Sequence, residues 1–226
     1  MTAATLIRPV LWLTFPAVRA AAHSLWTAPR LRERYPAYLG AMHWLIRASV
    51  PLMEAAVDSC AALPAGDPSA GPLTEYFHAH IAEEQGHDRW LLEDLSSLGV
   101  RQPDALLGSA VRQDIAALAG VQYYLIRHFH PACLLGYMSV LEGCPPDAGL
   151  VGRLPGLTGW PAPAFRTLAR HAALDPGHER EIVRLLDVLP LSAAVTEQVA
   201  RNAAYTAVHA AELLRRLAGE GGTGSP

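Results

Sequence analysis

Lysine is absent from this chain of 226 residues, and all 18 of its cationic side chains are arginine. That excludes Schiff-base catalysis and any lysine-anchored pyridoxal phosphate. Cysteine is scarce: Cys60, Cys133 and Cys144 are odd in number and show no C-x-x-C spacing. They read as buried thiols in a reducing compartment. Charged residues make up only 17% against 51% hydrophobic, so a sizeable core is expected and disorder is not. The formal charge of −3 offers nothing to nucleic acid or to an anionic membrane. Apolar runs long enough to span a bilayer are missing too. The N-terminal apolar stretch is interrupted by Pro9 and Pro16 and followed by Arg19 rather than by a cleavage site. The expectation is a cytoplasmic protein with a packed N-terminal helix, acting on a small molecule and pairing at most with a second copy of itself.

What is present repeats at helical spacing, punctuated by short Pro/Gly segments. The pattern predicts an all-α bundle with helices near 36–62, 73–98, 103–129, 131–143, 163–188 and 191–218. Thr74 is the expected cap of the second and Gly99 its stop. "PAGDPSAGP", 64–72, reads as a turn between antiparallel helices. "CPPDAGLVGRLPGLTGWPAP", 144–163, reads as an irregular lid or entrance loop. One domain over 1–218 and a disordered tail, 219–226, complete the expected organisation.

The stretch "FHAHIAEEQGHDRWLLEDL" carries His80, Glu84 and His87 at i, i+4 and i+7, positions within about 60° of one another on a helix. "RHAALDPGHER" repeats that spacing with His171, Asp175 and His178. From 10 His and 21 acids, chance supplies about 0.04 such triplets. Each triplet has a glutamate upstream on an apolar helix, Glu54 in one case and Glu142 in the other. Buried carboxylates need a cation or a hydrogen-bond network. Glu…Glu-x-x-His followed by Glu…Asp-x-x-His is the ligand logic of di-iron and di-manganese bundles. With carboxylate and imidazole donors and no Cys, iron or manganese is favoured over structural zinc.

"HIAEEQGHDRWLLEDLSSLG", "LLGYMSVLEG" and "RHAALDPGHER" resemble the haem-oxygenase-like di-metal oxidases, a non-haem-iron branch of the haem-oxygenase fold. The resemblance covers about residues 35 to 190. It implies a haem-oxygenase-like helical bundle binding two Fe(II), with Mn as an alternative, and using O2. It carries Glu84 and His87 over as ligands, with Glu142, then His171, Asp175 and His178, and Glu54 by position and context. Relatives desaturate, cleave C–C bonds or oxygenate nitrogen, mostly in natural product biosynthesis, so an oxidoreductase of that kind is expected. The rivals are a haem-oxygenase- or thiaminase-like enzyme without a di-metal site, and a non-enzymatic metal-binding helical protein.

Around this set, His80 is read either as a ligand or as a capping or orienting residue and is left out of the set, and Glu83 is read as solvated or paired with Arg89, with ligation the lesser alternative. Arg47 or Arg127 is the expected anchor for a substrate carboxylate. Asp94, at i+7 from His87, either orients it or is solvated. Pro176 and Gly177, between two ligands, carry helix penalties of about 3 and about 1 kcal/mol, so that segment is expected to be locally weak.

Overall fold

The computed structural model describes residues 2–103, 105 and 112–219. Among them are ten α-helices and no strand: α1 Ala3–Trp26, α2 Leu31–Arg47, α3 Ser49–Ala61, α4 Ala70–Glu84, α5 His87–Ser97, α6 Gln113–His128, α7 Leu134–Glu142, α8 Ala148–Thr158, α9 Arg166–Val188 and α10 Ala193–Ala218. The all-α expectation holds. None of the described helices is long and apolar enough to cross a membrane. Residues 104 and 106–111 of the helix expected at 103–129, and 220–226 of the tail expected at 219–226, lie outside the described residues.

Local chemistry explains where the helices depart from the expected ones. The segment 36–62 is two helices, because Pro51 has no N–H to return to the carbonyl of Arg47. Pro36, inside α2, likewise frees the carbonyl of Arg32, which accepts the indole N–H of Trp160 at 2.9 Å instead. The Arg32 guanidinium then lies 3.9 Å from the Trp160 ring centroid and donates to the carbonyl of Thr158. The segment 73–98 also divides. Gly86 adopts φ 85°, a left-handed conformation that glycine alone takes without strain, and the chain turns there between α4 and α5. Thr74 does not cap α4. The helix begins at Ala70, the carboxylate of Asp67 accepts the N–H and O–H of Ser69 just before it, and Thr74 donates to the carbonyl of Ala70 from within. Gly99 follows α5 with φ 84°, the stop expected of it.

The expected entrance loop is the largest correction. Residues 148–158 are helical, with Asp147 accepting the N–H of Leu150 at one end and Gly159 left-handed at the other. Three glycines and Pro155 hide this helix from propensity; burial of Val151, Leu154 and Thr158 on one face holds it. α9 runs unbroken through Pro176 and Gly177, so the expected weakness does not interrupt the helix.

Packing places the ligand-bearing helices around a common interior. α1 lies along α10, α7 packs on α10 and α9, and α2 packs on α5. A Cβ at Gly136 of α7 would overlap the carbonyl oxygen of Val199 on α10, so the two backbones are in contact there. Phe77 on α4 and Leu91 on α5 are fully buried or nearly so. Side chains of this size each contribute about 1.5–3 kcal/mol on burial.

Candidate metal centre

Six ionisable side chains from α4, α5, α7 and α9 gather into two groups, and a seventh, Asp175, lies on α9 between its two histidines. One joins His80, Glu142 and His178, the other Glu84, His87 and His171, and within each group the donor atoms lie within 4.8 Å of one another. His80 Nε2 stands 3.1 Å from Glu142 Oε1, and His178 Nδ1 stands 3.6 Å from Glu142 Oε2. In the second group His87 Nδ1 is 3.2 Å from Glu84 Oε2. The paired rings meet edge to face, His80 with His178 at 4.5 Å and His87 with His171 at 5.4 Å between centroids.

Helix geometry explains the pairing. His80 precedes Glu84 on α4, whereas its partner His178 follows His171 on α9, so the two helices supply their ligands in opposite order. Seven residues of helix span about 10 Å, enough to put His171 and His178 in different groups. The turn at Gly86 lets His87 join Glu84 rather than continue the line of α4.

Asp175 falls between the two histidines of α9 and is buried. Its carboxyl is pushed up to about 8, first by burial and then by Glu142 and Glu84, one carboxylate from each group. It is therefore electrostatically coupled to both. Burial alone would lower His80, but Glu142, Glu84 and Glu83 outweigh it and raise the imidazole. Burial would raise Glu84, but His87, His171 and His80 pull it below the usual carboxylate range. His171 is lowered, chiefly by burial.

The orientation of His171 is fixed from behind. Its Nδ1 lies 3.0 Å from the carbonyl of Thr167. A carbonyl only accepts, so Nδ1 carries the proton and Nε2 is left to face the group. The N–H of Thr167 in turn donates to Asp94 Oδ2 at 2.9 Å. Asp94 is wholly buried, and Arg166 Nε is 3.7 Å from its other oxygen. Asp94 thus steadies the start of α9 and touches His87 nowhere in this network.

Of the residues expected at the site, Glu84, His87, Glu142, His171, Asp175 and His178 are brought together. Glu54 is not: it is exposed on α3. The apolar neighbours that suggested burial, Leu52, Met53, Ala55 and Ala56, occupy the other face, and the charge of Glu54 is felt by Tyr123 instead. His80, left out of the expected set, takes a place in the first group. Its signal was present in Phe77, buried one turn earlier on the same face. Glu83 is half exposed and sits beside the first group, 3.3 Å from His178 Nε2, rather than on Arg89. Sequence reasoning also passed over Trp90, stacked on His87 at 3.8 Å, and Tyr76, stacked on His80 at 5.5 Å.

A cavity of about 970 Å³ opens onto both groups, with His80, Glu84, Glu142, His171 and Asp175 in its wall. Neither Arg47 nor Arg127 lines it; they lie near the rings of Trp44 and Tyr123.

Residues 42–213 match a family described as iron-containing redox enzymes. No curated protein matches the chain. Among solved structures, a domain of unknown function with a heme-oxygenase-like fold from Shewanella denitrificans OS217 superposes with a TM-score of 0.75 at 16% identity, covering 96% of this chain and 92% of that one. A TenA homologue from Pseudomonas syringae pv. tomato DC3000 gives 0.64 at 14% identity, covering 92% of each. At such identities the likeness speaks to the fold, which is heme-oxygenase-like.

Proposed function

The chain belongs to the iron-containing redox enzyme family, and we propose that it is a non-haem di-iron oxidase or oxygenase that oxidises a C–H or N–H bond of a small molecule with O2. One observation carries this reading: two groups of two imidazoles and one carboxylate, with the buried Asp175 coupled to both. The donor set fits iron, or manganese, in its chemistry, being imidazole and carboxylate without thiolate. It also fits by what it leaves unsatisfied. His80 Nδ1, His178 Nδ1 and Glu142 Oε2 are buried without a hydrogen-bond partner. Such a cluster is costly unless a cation joins it.

His80, Glu142 and His178 would hold one ion and Glu84, His87 and His171 the other, with Asp175 available to both. When bound, two Fe(II) supply reducing electrons and open coordination positions for O2. The chain's own residues do the rest. His171 is held by Thr167 so that Nε2 stays aimed inward. Asp175 keeps a proton in the ion-free protein near neutral pH and releases it as cations arrive. Leu45, Ile46, Met53, Met138 and Leu213 make much of the remaining cavity wall apolar.

The likeness to a TenA homologue leaves an enzyme without a di-metal site as the rival reading. Three carboxylates and four histidines at one cavity end favour the metal. Anaerobic titration with Fe(II) followed by O2 tests it. Saturation at two ions per chain and an O2-dependent optical change are expected; saturation at one in the presence of reductant and substrate overturns the dinuclear reading.

A further inference from the structure

The two histidines of the second group are held in place by different means. His171 is fixed from behind by the carbonyl of Thr167 at 3.0 Å. Such an outer hydrogen bond is the usual way of setting the plane of a ligating imidazole. Among the described residues His87 has none: its polar partner is Glu84, a member of the same group. The backbone does little to compensate. His87 is the first residue of α5, and Gly86 before it has no side chain with which to cap the helix. The first turn of a helix has N–H groups without partners in the helix, so His87 is less firmly carried than His171, in the second turn of α9.

What His87 does have is Trp90, one turn further along α5. The indole is stacked on the imidazole, with centroids 3.8 Å apart and planes 30° from parallel. It also meets the His171 ring at 6.1 Å and 68°, close to edge-on. Trp90 is itself held from the other helix, because the guanidinium of Arg170 on α9 lies 4.2 Å from the indole centroid. One ring therefore meets both histidines of the second group and links α5 to α9. In the first group the comparable pair, Tyr76 and His80, is looser, at 5.5 Å.

We propose that Trp90 is the positioning residue for His87: stacking on its indole, braced by Arg170, fixes the plane of the imidazole and thereby the affinity of the second group for its ion. The consequence for metal binding rests on the reading of the two groups given above; the hold on His87 does not. Trp90 acts only through His87, by removing a ring rotation that binding would otherwise have to freeze out. A change at position 90 therefore acts on one ion of the two.

The test compares Trp90→Leu, which fills much of the space without a π face, with Trp90→Phe, which restores one. In the metal-free protein, NMR of the His87 ring protons, assigned with His87→Gln, reads the stack directly. Their upfield ring-current displacement should be lost in Trp90→Leu and mostly kept in Trp90→Phe. Anaerobic Fe(II) titration reads the consequence. Trp90→Leu should weaken one of the two ions about 10- to 100-fold and leave the other unchanged, and Trp90→Phe should recover most of that loss. Co(II) in place of Fe(II) adds a signature: its d–d bands should change in Trp90→Leu and return in Trp90→Phe. A role in folding alone would weaken both ions together, and urea denaturation of each variant measures it. If the wild type binds no iron, the proposed function fails and the ring-proton comparison still decides the hold on His87. The proposal is overturned if the His87 signals of metal-free Trp90→Leu match those of the wild type, if Trp90→Leu binds both ions with wild-type affinity or weakens both equally, or if Trp90→Phe binds iron no better than Trp90→Leu.

Discussion

Asp94 accepts the backbone N–H of Thr167 at 2.9 Å from a position with no solvent exposure. This bond joins α5 to the first turn of α9, the helix that carries three of the seven clustered side chains. Asp94→Ala leaves that N–H buried without a partner, and loss of such a partner costs about 1–3 kcal/mol. Urea denaturation of the metal-free protein should show a fall of that size. A smaller loss is expected for Asp94→Asn, which keeps an acceptor oxygen. Equal midpoints for wild type and Asp94→Ala would mean that α9 is anchored by other contacts.

His80 and Glu54 exchange places relative to the sequence expectation, and iron titration separates them. Glu54→Ala should bind two Fe(II) as the wild type does, since Glu54 is exposed on α3. His80→Ala removes one of three donors from its group. Affinity for one of the two ions should fall by more than the roughly 10- to 100-fold that loss of an outer hydrogen-bonding partner costs. The opposite pattern would restore Glu54 to the centre.

Asp175 makes the stability of the metal-free protein depend on pH, in a direction that can be worked out. Its carboxyl is pushed up to about 8 in the folded chain, against about 3.9 when unfolded. Between those values the folded state holds the extra proton, so stability falls as pH rises through this window. Asp175→Asn carries no such cost. Its advantage in melting temperature over the wild type should be absent near pH 4, grow toward pH 8 and then level off. With Fe(II) present the order should invert, because the wild type gains a ligand that the variant lacks. A constant difference between the two metal-free proteins across this range would show that Asp175 does not titrate there.

At Gly136 an added methyl group meets backbone rather than a movable side chain. Gly136→Ala should therefore push α7 off α10 and cost about 1–3 kcal/mol, the usual scale of overpacking. Because Glu142 is carried on α7, Fe(II) affinity should fall with it. Chemical denaturation and iron titration on the same preparation check both effects. An unchanged iron titration in a destabilised variant would show that Glu142 is held independently of the α7–α10 contact.

The part of the centre written on one helix could be read from spacing. His171, Asp175 and His178 lie on the continuous α9, and helical arithmetic is enough to bring them to one side. Glu142 was legible for another reason: it ends a helix whose other residues are almost all buried. Glu54 misled because α3 is short and apolar, and composition does not say which face turns inward. The break at Gly86 was hidden because one glycine costs a helix only about 1 kcal/mol, too little to mark a turn. Without that break His80, Glu84 and His87 look like one set, whereas the folded chain divides them between two. α8 was illegible because tertiary burial, not propensity, forms it.

The embrace of Trp160 by Arg32 gives α8 two unequal ends. Its C-terminal side is fastened to α2 by the indole N–H, by the stacked guanidinium and by the bond to the carbonyl of Thr158. Its N-terminal side is held by the Asp147 cap, a contact within its own first turn. The C-terminal end of α8 is thereby tied to α2, while the part of the cavity rim at Asp147 and Arg153 depends on the helix's own first turn.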